Sequence, residues 1–151
     1  MPGYVISGAA GAASSTAATA GIIKVENAST VLATPRIVEW SIGPAAAAAD
    51  DIYTVQLKRQ TTAGTWTSVT PAPLDPAFAA AKSVGGRAST AAGSASTVLG
   101  SWGFSQRAGY RFVATPGNEF VVDRANSAGI ILEYAFVVGT LVNNATLIFV
   151  E

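Results

Sequence analysis

The sequence predicts an all-β chain: an antiparallel β-sandwich or jelly roll of about eight strands, with an extended N-terminal arm. Three observations predict it. Apolar residues alternate at period two in several short runs, such as Tyr53, Val55 and Leu57 against Thr54, Gln56 and Lys58. Gly, Pro, Asn and Asp fall between those runs as turn signals. No stretch of useful length shows the 3.6 period of a helix. A chain of 151 residues suits one domain and buries a core without staples. The domain is expected over residues 22–151.

Residues 1–21 are mostly Gly, Ala, Ser and Thr, with one early patch at Tyr4, Val5 and Ile6. Such a segment carries little apolar volume to pack. It fits a loose tail, or an extended arm that orders on a neighbouring subunit. Gly21–Asn27 reads as the first strand, and Pro35–Ile42 as the second, where Val38, Trp40 and Ile42 alternate with Glu39 and Ser41. Residues 45–49 offer at most a helical turn before the Asp50-Asp51 loop. Ile52–Gln60 is a strand, 61–64 a turn, and Trp66–Val69 a short partner strand.

Three prolines between Pro71 and Pro76 exclude a central strand there, because each lacks a ladder donor. Ala77–Lys82 reads as a short helix capped near Asp75. Residues 85–97 are low in complexity and read as a surface loop. Val98–Phe104 is a Gly-interrupted strand. In Gln106–Val122, Tyr110, Phe112 and Ala114 share one face, and Pro116-Gly117 suits a type II turn. A second β-rich run follows at Glu119, so the unit reads as a hairpin. Residues 129–138 are apolar on both faces and should be central or covered, and residues 145–150 form the last strand.

Charge and residue content bound the function. Nine Lys and Arg balance nine Asp and Glu, so no basic footprint for nucleic acid exists. Charged residues make up 12% of the chain, against about 25% in an average soluble domain. Mean hydropathy is positive. A chain so poor in charge is expected to cover its surface with partners. The most apolar segment, 128–142, is shorter than the roughly 20 residues of a membrane span and carries Glu133. Residues 8–21 are small rather than greasy and follow no basic residue, so they do not read as a signal peptide.

The chain has no Cys and no His, which removes disulfides, thiolate metal sites, the commonest general base and the commonest zinc ligand. No Gly-x-Ser-x-Gly elbow occurs. Asp50-Asp51 matches no calcium loop, and Gly85-Gly86-Arg87 lacks the strand-then-helix setting of a phosphate loop. The chain is therefore expected not to be an enzyme and to need no metal or cofactor. Arg107, Tyr110 and Arg111, with Trp102 and Phe104 nearby, are the residue types that dominate interface hot spots. Arg stems lying over aromatic rings at a strand end would look the same. Trp66 and Trp102 are the only plausible stacking platform for a glycan.

Three pieces together resemble a known family. They are Tyr53-Thr-Val-Gln-Leu-Lys-Arg-Gln-Thr-Thr-Ala-Gly-Thr65, Val69-Thr-Pro-Ala-Pro-Leu-Asp-Pro-Ala77 and Gln106-Arg-Ala-Gly-Tyr-Arg-Phe-Val-Ala-Thr-Pro-Gly-Asn-Glu-Phe120. The ending Asn144-Ala-Thr-Leu-Ile-Phe-Val-Glu151 fits as well. They resemble small tailed-bacteriophage virion proteins of the kind that decorate or cement the capsid. The likeness covers residues 36–151, and the Thr-Pro-x-Pro-Leu-Asp-Pro loop is its most specific part. It implies a sandwich or jelly-roll subunit that forms a homo-oligomer, a trimer, seated on the major capsid protein at the capsid surface. The Gly-, Ala- and Ser-rich start departs from that family, which opens with a strand-like segment. The alternative role is a receptor- or carbohydrate-binding sandwich on a phage tail or fibre.

Overall fold

Period-two alternation becomes two sheets whose apolar faces meet. A computed structural model of the chain describes residues 1–9, 13–14, 21–28, 33–45, 50, 52–91, 93–125, 128–137, 140–141 and 143–151. The strands are β1 (Gly3–Ala9), β2 (Ala13–Ser14), β3 (Gly21–Asn27), β4 (Arg36–Pro44), β5 (Ile52–Gln60), β6 (Thr65–Val69) and β7 (Ala72–Pro73). They continue as β8 (Ser83–Ala91), β9 (Ala95–Ser105), β10 (Tyr110–Val113), β11 (Phe120–Val121), β12 (Gly129–Val137), β13 (Thr140–Leu141) and β14 (Asn143–Val150). The described residues contain no helix.

One six-stranded antiparallel sheet runs β10-β4-β14-β1-β7, with β11 also on β4. The other runs β6-β8-β3-β12-β5-β9. β2 and β13 form a separate pair. Ile6, Ile37, Trp40, Leu147 and Phe149 of the first sheet meet Val25, Val55, Leu57, Ile130 and Leu132 of the second in one buried cluster, which makes the molecule a β-sandwich. β12 is paired on both edges, by β3 and β5, and Ile130, Ile131, Leu132 and Tyr134 are all buried, as its apolar faces predict.

Several expectations are corrected. Gly3–Ala9 is not an arm: it pairs with β14 from Gly3↔Val150 to Ala9↔Asn144. Tyr4 and Ile6 supply enough buried volume on one face to seat it, so the sandwich begins well before residue 22. Residues 10–12 and 15–20 of the expected arm lie outside the described residues, as do residues 46–49 of the expected helical turn. Residues 85–97 are not a loop: they hold most of β8 and the start of β9. Their small residues are crossed by neighbours. A Cβ on Gly86 would meet Lys24 Cε at 2.8 Å and Trp66 Cβ at 3.0 Å. The same pairing rules out an anion nest at Gly85-Gly86-Arg87, which is extended strand between β3 and β6.

Ala77–Lys82 is not a helix. Asp75 Oδ1 does accept the Ala77 N–H at 2.9 Å, but the following backbone is claimed elsewhere. The Tyr4 hydroxyl donates to the Ala79 carbonyl at 3.1 Å, and the Glu151 carboxylate accepts the Lys82 N–H. β6 pairs with β8 rather than with β5. Gln106–Val122 is not a hairpin: β10 and β11 both pair with β4, end to end along it. The Thr115–Asn118 turn forms, with Asn118 N–H donating to Thr115 O at 2.9 Å and Gly117 at φ +90°. It closes a small excursion opposite a bulge in β4 instead of reversing the chain.

Candidate functional site

The residues singled out from the sequence sit around one open side of the sandwich. There β9, an edge of the second sheet, lies over β10 and β11, an edge of the first. Alternation along β10 sends Tyr110 and Phe112 inward and leaves Arg111 and Val113 exposed. The inward rings join Trp40 of β4 and Trp102 of β9. Trp40 meets Trp102 edge-on at 5.0 Å, Tyr110 at 5.2 Å and Phe112 at 6.1 Å. Trp102 lies 5.6 Å from Phe112, and Phe112 lies 5.5 Å from Phe120. Such offset and edge contacts suit the ring quadrupoles.

Trp40 is fully buried at the back of this cluster. Trp102, Tyr110, Phe112 and Phe120 are only partly buried and form an aromatic rim between two sheet edges. Gly100 explains the ring position of Trp102: a Cβ there would meet its Cη2 at 2.2 Å. The interrupted Val98–Phe104 pattern is therefore a seat for an indole, as a strand glycine often is.

The two arginines do not join the rim. Arg111 lies on the outward face, where its Nε and Nη2 each donate to Glu39 at 2.7 Å in a bidentate pair. The Arg111 hydrogen bond holds the Glu39 carboxyl below its ordinary range. Arg107 pairs with Asp50 at the turn after β9 and is well exposed. Trp66 is far from all of these, on β6 at the opposite edge of the second sheet. The Lys24 ammonium stands 5.3 Å from its ring centre, a cation–π contact that covers one face. The structure therefore brings Trp102 and Tyr110 together, keeps Arg107 and Arg111 beside them on the surface, and separates Trp66.

Sequence reasoning missed Phe112 and Phe120 as rim residues and Trp40 as their support. The signal was present, since Phe112 shares its face with Tyr110 and Trp40 alternates with Ile42. No group of three His, Cys, Asp or Glu side chains that could hold a metal exists among the described residues. Glu26, Glu39, Asp50, Asp123 and Glu133 are each committed to an ion pair.

No family model, curated protein or solved structure matches the chain. The rim and the edges beside it are the features from which function has to be argued.

Proposed function

We propose that this chain is a structural virion protein of a tailed bacteriophage that decorates and cements the capsid as a homo-oligomer, a trimer, bound to the major capsid protein. One observation carries the reading: four half-buried aromatic side chains stand in a row between strands that are sheet edges among the described residues, on a chain with zero net charge. Aromatic side chains of this kind are the anchors of protein interfaces, where their rings lose water at low entropic cost. β9 and β10 are each an edge of a sheet among the described residues, and an edge is where a neighbouring strand can add. The family resemblance supplies the setting. Its most specific piece, Val69–Ala77, includes the proline loop that carries β7, and its ending coincides with β14.

The mechanism is burial. Subunits bury the rim against one another, and the assembled unit spreads over capsomer junctions, so that shell opening must first expose that surface. Stable contacts of this class bury about 1,600 Å². The role involves no catalysis and no cofactor. The glycan-binding alternative draws less support, because Trp40 stacks edge-on against Trp102 and Lys24 covers Trp66.

The test is co-sedimentation of the purified chain with heads assembled without it. Saturable binding at a fixed ratio to capsid subunits is expected. Chain that stays in the supernatant at every concentration overturns the reading.

A further inference from the structure

A second surface lies at the opposite edge of the first sheet, beside β7. A cleft of about 500 Å³ opens there, with Tyr4, Phe78, Ala79, Lys82, Arg124 and Glu151 in its walls. Its size falls in the range of pockets that take a ligand or a few side chains, roughly 300–1,000 Å³.

The walls are fixed in place. β7 pairs with β1 through Tyr4↔Pro73 and Val5↔Ala72, and the Leu74 N–H donates to the Gly3 carbonyl at 2.8 Å. The Phe78 N–H donates to Asp75 O at 3.0 Å, and the Tyr4 hydroxyl holds Ala79. Phe78 nevertheless remains 40% exposed and Leu74 55% exposed, although the loop that carries them is tied down at both ends.

Two cationic side chains, Lys82 and Arg124, stand in the walls of this cleft. Lys24, Lys58, Arg59, Arg107 and Arg111 are each in an ion pair. Of the other four cations, Arg36, Lys82, Arg87 and Arg124, none is in an ion pair among the described residues, and Lys82 and Arg124 line the cleft. The one carboxylate side chain in the wall, Glu151, is turned to the neighbouring strand start rather than to Lys82 Nζ or Arg124. It accepts the Lys82 N–H, the Ser83 N–H at 3.2 Å and the Ser83 hydroxyl at 2.6 Å. Two uncommitted cations beside a fixed apolar wall complement a carboxylate next to an apolar group.

We infer that the cleft docks an acidic side chain, with its apolar neighbour, from an extended segment of a partner protein. Arg124 supplies a planar fork for the carboxylate, Lys82 a second positive charge, and Phe78 the apolar contact. Because the walls are preformed, little ordering entropy opposes binding. The inference does not depend on the partner being a capsid, and its test needs no virion.

The test is a titration of the full-length, isotope-labelled chain with acetyl-Ala-Leu-Asp-Ala-amide, followed by backbone amide shifts. Saturable shifts at Phe78, Lys82 and Arg124 are expected. Affinity should fall about tenfold for the peptide with Asn in place of Asp, since a charged hydrogen-bond partner is lost. It should fall similarly in Arg124→Gln, an exposed position whose replacement leaves the melting temperature unchanged, and further in Lys82→Gln/Arg124→Gln. Equal affinity for the Asp and Asn peptides, or no saturable shift, overturns the inference. Inorganic phosphate moving the same amides while the peptide does not would also overturn it, by showing a bare anion site.

Discussion

Trp40 ties the two sheets together at the open side of the sandwich. It is fully buried, and its ring touches Trp102, Tyr110 and Phe112. Trp40→Ala removes that centre and is predicted to cost about 3–5 kcal/mol in urea unfolding, with loss of the near-ultraviolet aromatic signal. Tyr134 makes a second residue-scale prediction. It is buried and accepts a hydrogen bond from Asn143 Nδ2 at 2.7 Å. Tyr134→Phe leaves that buried donor unpaired and should cost about 1–3 kcal/mol. Burial pushes the Tyr134 hydroxyl up to about 12. Its neutral form is thus favoured in the folded state. The stability this contributes is fully present below the ordinary tyrosine value, about 10, and drains away as pH rises from there toward 12. Glu39 works in the opposite sense. Arg111 lowers its pKa, so its contribution is present above the ordinary carboxylate value, about 4, and is lost as pH falls through the lower folded value. The melting-temperature gap between the native chain and Arg111→Gln should close under acid. A gap that stays constant at low pH would contradict the pairing. The exposed position of Arg111 was legible in the sequence, because it alternates with Tyr110 and Phe112. The partners that occupy Arg107 and Arg111, Asp50 and Glu39, were not, because both come from distant strands or loops.

At the scale of the strand, legibility followed side-chain bulk. Ile52–Gln60 carries its own apolar alternation and Gly21–Asn27 its own β-branched residues, and both occur with the bounds read from the sequence. β8 does not, because its Gly-Gly pair makes room for Ile6 on one face and for Lys24 and Trp66 on the other. Its apolar volume belongs to its neighbours. The β10–β11 unit was misread for a related reason. Strand character and the Pro116-Gly117 turn are local, whereas the choice of β4 as common partner rests on pairing between positions 68 to 85 residues apart. Gly100 tests the account of β9. A methyl group there collides with the Trp102 ring, so Gly100→Ala should displace that indole and destabilise by about 1–3 kcal/mol. Unchanged tryptophan fluorescence and unfolding midpoint would refute the seat assigned to Gly100.

At the scale of the whole molecule, the sandwich class followed from period two, while zero net charge and few charged residues are the sequence features on which the proposed assembly rests. The rim itself was not readable, since it forms only where β9, β10 and β11 meet Trp40 of β4, some 60 to 80 residues earlier in the chain. β9 carries no charge and no proline along its length, so it lacks two common defences of an edge strand. Light scattering should therefore find a mass of several copies for the native chain. Ser101→Lys, at an exposed position on that edge, should yield monomers that melt at the native temperature. A native chain that is monomeric at high concentration would count against the assembly. The claim that the assembly reinforces a shell is tested most directly by imaging virions with and without this protein. The account predicts density over the capsomer junctions that disappears when the protein is absent. Intact heads with no missing density would contradict it.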